Sequence, residues 1–294
     1  MWFFVVVLTL LAAGCLLVAR WPRIKGARRA RGNTFAYKFK MYVAPADMVR
    51  FDNTLDRRSA ARWLSAAASF GVAALAVALL AGVRRHGFDL LAPSMYLGII
   101  STAWIGCLLG EVAPRVRAQS PARAARLRSP GVSDFLHPVL RGYLALLALI
   151  SVLALVPGVR PPWLAELPTV ATLFPAIVFL GCELFARLVV TLPQPAVDPG
   201  ELYLADTLRA DALWDSYRVA TLFAAVLVVL PVFTEMEETR GGDLLSFVVI
   251  VAAWAVPTVL DMRPRWSHLR FRERLWPELP SGAVVSTASG AVVA

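Results

Sequence analysis

Seven long apolar runs divide this chain, and its arginines and lysines gather in alternate gaps between them. The runs are Trp2–Ala19, Trp63–Val83, Ser94–Ala113, Val139–Val156, Val170–Leu192, Tyr217–Thr234 and Leu244–Leu260. Each comes close to the roughly 20 residues a helix needs to cross about 30 Å of hydrocarbon. Lipid demands that backbone polar groups be satisfied internally, which leaves helices or closed barrels. Barrel strands alternate over about 10 residues, whereas these runs are apolar without interruption. The expected fold is therefore all-α, a polytopic transmembrane bundle of seven spans. A composition of 58% hydrophobic and 17% charged residues, with mean hydropathy +0.63, points the same way.

The basic residues orient that bundle. Between the first and second runs lie 12 of them, from Arg20 to Arg62. Five follow the third run, Arg209 follows the fifth, and five (Arg263 to Arg274) lie in the tail. The opposite gaps hold only Arg84, Arg85, Arg160 and Arg240, while Arg141, Arg187 and Arg218 sit at run ends on the richer side. The positive-inside rule then puts the N-terminus outside and the C-terminus in the cytoplasm. Expected segments are a first helix (1–20), a basic cytoplasmic loop (21–62), a six-helix body (63–262) and a tail with a mobile end (263–294). The body comprises hairpins at 63–113, 139–192 and 217–260.

The net charge of +10 needs no nucleic acid to explain it, because the excess lies where anionic lipid heads of the inner leaflet would meet it. Residues 35–43 interleave Phe35, Tyr37, Phe39 and Met41 with Lys38 and Lys40. That pattern suits the headgroup layer, with lysine stems snorkelling. Arginine outnumbers lysine 27 to 3, and alanine and valine are abundant. In this general style the whole chain resembles multi-pass plasma-membrane proteins of GC-rich bacteria, a likeness that rests on no motif and implies no activity.

Ala12-Ala13-Gly14-Cys15 has the look of a lipoprotein processing site. No positive charge precedes the run, however, and apolar residues follow the cysteine. A retained helix with its charge trailing fits better. Cys107 and Cys182 lie in other runs, and none of the three cysteines has metal-ligand spacing. His86, His137 and His268 have no partner at metal spacing, and no phosphate loop, dinucleotide fingerprint or nucleophile elbow is present. His86 and Asp89 are three apart, and Glu235, Glu237, Glu238 and Asp243 form an outer acidic group without the spacing of an oxygen-ligand loop. No catalytic residue, cofactor site or metal site is assigned, and the chain is not expected to be an enzyme.

Two features bear on function. Glu183 lies inside the fifth run with Arg187 one turn on, a candidate intramembrane polar pair. It is either a substrate or proton site or a clamp. Glu111 and Asp261, each four residues ahead of an arginine, read as interface anchors. The segment Asp198–Ser216 reads as an amphipathic helix starting at Pro199 with Glu201 at capping-box spacing. Tyr203, Ala210, Trp214 and Tyr217 share one face, while Asp211 and Asp215 lie with Glu201 on another. It is either packed on its own chain or a candidate docking helix for a cytoplasmic partner such as an ATPase subunit.

An internal repeat supports transport. Ala103-Trp104, Glu111, Pro114 and Arg115 match Ala253-Trp254, Asp261, Pro264 and Arg265 at identical offsets, and Asn53-Thr54-Leu55 precedes the second run as Asp206-Thr207-Leu208 precedes the sixth. Gly181-Cys182 and Leu184 likewise echo Gly106-Cys107 and Leu109. A parallel repeat of hairpins occurs in some transporters. The expected function is thus a transport-associated, permease-like membrane component; the alternatives are a non-transporting scaffold or assembly factor and, third, a membrane enzyme.

Overall fold

A computed structural model describes residues 2–20, 25–81, 129–153, 155–156, 169–192, 199–236, 251, 255–256, 258–260, 262–263, 267–279, 284–286 and 292–293. Helix accounts for 83% of them, so the all-α class stands. Its helices are α1 (Trp2–Arg20), α2 (Lys25–Lys38), α3 (Pro45–Ala81), α4 (Val132–Phe135), α5 (Pro138–Leu153), α6 (Thr169–Thr191), α7 (Pro199–Met236) and α8 (Arg270–Leu275). Strands β1 (Met41–Tyr42), β2 (Val284–Ser286) and β3 (Val292–Val293) complete the set. Two compact units result. The first holds residues 1–129, 192–208 and 277–294; the second holds 130–191 and 209–276.

Seven spans are not what the described helices display. Among the described residues, one helix, Leu173–Thr191 with mean hydropathy 2.0, is long and apolar enough to cross a membrane. Thr9–Arg20 and Pro138–Leu153 are apolar but shorter. The third run and most of the seventh lie outside the described residues, and with them Glu111, Asp261, His86, Asp89 and the Ala-Trp halves of the repeat. The second and sixth runs are the later parts of much longer helices. The boundaries expected at 62/63 and 216/217 fall inside continuous α3 and α7. At 1.5 Å per residue their 37 and 38 residues extend about 55 Å, well beyond a bilayer's hydrocarbon.

In the first unit α1 lies along α3, and α2 also packs on α3. Gly32 of α2 marks the close approach. A Cβ there would stand 2.6 Å from the Asp52 carboxylate oxygen of α3, so only glycine leaves that carboxylate in place. Past α2 the chain turns through Lys40, whose φ of 50° is left-handed, and enters β1. Its Lys40 carbonyl accepts the Val285 N–H at 3.3 Å. β1 pairs parallel with β2 (Met41 with Val285, Tyr42 with Ser286), and β2 pairs antiparallel with β3. The tail expected to be mobile therefore supplies two strands. The signal was weak because Val-Val pairs among small residues have too little length to show a period, and the partner strand lies some 240 residues away.

In the second unit α5 packs along α6. Pro138 opens α5, where its missing N–H costs nothing. At the far end of α6 the Thr191 hydroxyl donates to the Arg187 carbonyl at 2.9 Å, and buried Arg209 Nε donates to the Val189 carbonyl at 3.1 Å. A cation thus closes a helix C-terminus, where the carbonyl dipoles favour it. α4 and α8 form a small satellite: the Phe135 and Phe271 rings stack at 6.4 Å, and Arg270 Nε donates to the Ser133 carbonyl at 3.0 Å.

α6 is apolar on both faces. Phe174, Val178, Cys182, Phe185, Ala186 and Val189 face inward with Glu183 among them, while Ile177, Leu180, Leu184 and Leu188 form an outward stripe, with Leu184 68% exposed.

Candidate functional site

Three helices of the second unit bring one polar side chain each to a single point. Glu183 is carried inward by the buried face of α6. Arg141 comes from the first turns of α5, and Tyr217 from α7. Arg141 Nε donates to Glu183 Oε1 at 2.6 Å and its Nη2 donates to Oε2 at 2.5 Å, a bidentate fork. The Tyr217 hydroxyl donates to the same Oε1 at 2.9 Å. Glu183 and Tyr217 are buried, whereas the Arg141 side chain remains 40% exposed.

Both carboxylate oxygens are thus occupied by groups of the chain itself, and the acid's charge is cancelled by a planar cation from a neighbouring helix. Such an arrangement ties three helices together. Removing one partner strands the other in a poorly solvated place, which typically costs about 3–5 kcal/mol when the pair is fully buried and less here because Arg141 reaches the surface. One turn beyond Tyr217, the buried Thr221 hydroxyl has no hydrogen-bond partner among the described residues.

This geometry corrects the expected pairing. Glu183 is clasped by Arg141, 42 positions earlier, and not by Arg187. Arg187 is exposed on α6 and acts on Glu183 only through its charge. The physical reason lies in direction. Glu183 faces the α5 and α7 side of α6, while Arg187, only one turn on, leans to the surface. Arg141 carried only a weak signal: folding the 139–192 hairpin at its midpoint sets it opposite Val190, about two turns past Glu183.

The candidate docking helix is corrected as well. It begins at Pro199 as expected and continues without a break into the sixth run, and its aromatic face is internal. The Tyr203 hydroxyl donates to the Phe39 carbonyl at 3.1 Å. Asp211, Trp214 and Tyr217 are buried, and Asp215 is half-buried. A surface so covered by its own chain is not offered to a soluble partner. The Asp198 cap lies outside the described residues. Cys15 and Cys182 are buried and form no disulfide among the described residues.

In the α4–α8 satellite, partial burial and then the nearby Arg270 guanidinium push the His137 imidazole below its ordinary value. The buried Ser267 hydroxyl lies 3.0 Å from Nδ1 of His268. Comparison with family models, with curated proteins and with solved structures finds no match for this chain.

Proposed function

We propose that this chain is a seven-helix integral protein of a bacterial plasma membrane, N-terminus outside and C-terminus in the cytoplasm, acting as a non-transporting scaffold or assembly factor. The observation that carries this reading is the mutual pairing of the segments expected on the basic side. In the first unit the 21–62 loop holds the tail through β1 and β2. It also holds the start of α7 through the Tyr203–Phe39 bond and the Arg58 donation to the Leu208 carbonyl at 3.2 Å. In the second unit the stretch before α5 and the tail meet through Phe135, Phe271 and Arg270. Segments on opposite faces of a bilayer do not hydrogen-bond to one another. The leucine stripe of α6 supports residence in lipid, because a contiguous exposed apolar face is unfavourable in water.

A folded platform on one side suits holding other proteins at the lipid surface. The saturated Glu183 fits a clamp better than a carrier of substrate or protons. Removal of residues 281–294 should release the associated proteins while Glu183→Gln retains them. Retention by both variants overturns the scaffold.

One observation favours the transport reading. α3 and α7 both begin on proline (Pro45, Pro199) and carry Asn53-Thr54-Leu55 and Asp206-Thr207-Leu208 within one position of the same place. That is what a parallel repeat would leave. An adjacent ATPase subunit and a flux lost on Glu183→Gln would favour it.

A further inference from the structure

The first unit contains a cleft of about 270 Å³ between α2, β1 and the opening turns of α3. Its floor is apolar and buried (Met41, Val43, Phe51), and its rim carries Arg29, Asn33, Tyr37, Tyr42 and Asp52. Arg29, Asn33 and Tyr37 follow one another at four-residue steps, so one stripe of α2 supplies most of the polar wall. The volume is below that of drug-sized pockets and suits a group of a few heavy atoms.

The rim is mixed in charge. A guanidinium and an amide stand on one wall, with a carboxylate on the other and two exposed tyrosines beside them. Arginine with an amide is the donor set for a phosphate. A carboxylate with aromatic faces is the acceptor set for an ammonium group. We propose that this cleft binds the head group of a zwitterionic phospholipid, Arg29 and Asn33 taking the phosphate and Asp52, which lines the same cleft as Tyr37 and Tyr42, the amine. The choice of a lipid rests on the reading above that places residues 21–62 at the cytoplasmic membrane surface, where exposed tyrosines favour the headgroup layer. Gly32 has a part in it. Its missing Cβ leaves room for the Asp52 carboxylate, 2.6 Å away from where that atom would be, so Gly32→Ala displaces the end of a flexible side chain and leaves the backbone undisturbed.

The test uses the full chain in detergent, with native mass spectrometry counting retained phosphatidylethanolamine against phosphatidylglycerol, which shares the phosphate and lacks the amine. The wild type should prefer phosphatidylethanolamine about tenfold, the size of one charged hydrogen bond. Asp52→Asn and Gly32→Ala should each erase that preference. Arg29→Gln should weaken both lipids about tenfold. Equal retention by the wild type, or a preference that survives all three variants, overturns the proposal. Soluble O-phosphoethanolamine at equal concentration should not compete; effective competition would overturn the lipid as the source. Carbonate washing of membranes separates the underlying reading. A chain released by carbonate breaks the membrane placement, whereas a chain that stays embedded yet shows no lipid preference breaks the cleft alone.

Discussion

α3 and α7 are nearly the same helix on paper and opposite in the fold. Each begins on a proline, carries a charged first half and ends in an apolar second half. α3 turns Trp63, Leu64, Val72 and Leu75 outward in its apolar half, where Ala67 and Ala74 are buried, while Phe51 and Leu55 are buried in its charged half. α7 is walled in over most of its length, from Tyr203 through Trp214 and Tyr217 to Ala225. Equal composition therefore does not imply equal position. A helix apolar all round carries almost no directional signal, and neighbours decide which face is inside. What distinguishes α7 is its polar content: Tyr203, Asp206, Thr207, Arg209, Ser216 and Thr221 are all buried, and Tyr203 and Arg209 hydrogen-bond outside their own helix, to Phe39 and Val189.

The largest expected effect breaks the comparison outright. Trp214→Ala removes an indole that is 1% exposed, whereas Trp63→Ala removes one that is 40% exposed. The first should cost about 3–5 kcal/mol and the second under about 1 kcal/mol, read as melting temperatures of the solubilised protein. Equal shifts would mean that α7 is not the enclosed helix.

Next in size is the clamp. Arg141→Met should destabilise by about 2–3 kcal/mol by stranding Glu183, and the double variant with Glu183→Gln should recover part of that loss. Arg187→Gln should stay within about 0.5 kcal/mol. A larger loss for Arg187→Gln than for Arg141→Met would restore the pairing expected from spacing.

The smallest effect concerns pH. The His137 imidazole is held below its ordinary value, so the folded state prefers it neutral. Its contribution is present above the unfolded value and is lost as pH falls through the folded one. Amides of 132–135 and 270–275 should exchange faster at pH 5 than at pH 7.5, after correction for intrinsic rates. His137→Gln should flatten the difference, and greater protection at acid pH contradicts it.

Much of this architecture is legible in the residues. Apolar runs became helices at Trp2–Arg20, Pro138–Leu153 and Thr169–Thr191, and Pro199 marked a helix start. The clamp was half legible. Glu183 stood out because a lone acid in an apolar run demands a partner. Helical spacing nominated Arg187, since sequence shows neighbours along one helix and not across two. The tail strands were invisible for a related reason: two- and three-residue strands exist only through the partner they pair with. The inward turn of Trp214 was undecidable from a wheel, because an aromatic stripe serves a partner or the chain's own core equally well.

The account stands on the expected basic-side segments sharing one face of the membrane, and the β1–β2 pairing tests that most directly. Tyr42→Cys with Ser286→Cys, in a background lacking Cys15, Cys107 and Cys182, places two thiols at paired strand positions, within the spacing a disulfide tolerates. They should cross-link on mild oxidation. Before oxidation the thiol replacing Tyr42, a side chain 50% exposed, should react with a membrane-impermeant maleimide in inverted vesicles but not in intact spheroplasts. Labelling from outside, or no cross-link in folded protein, contradicts the account.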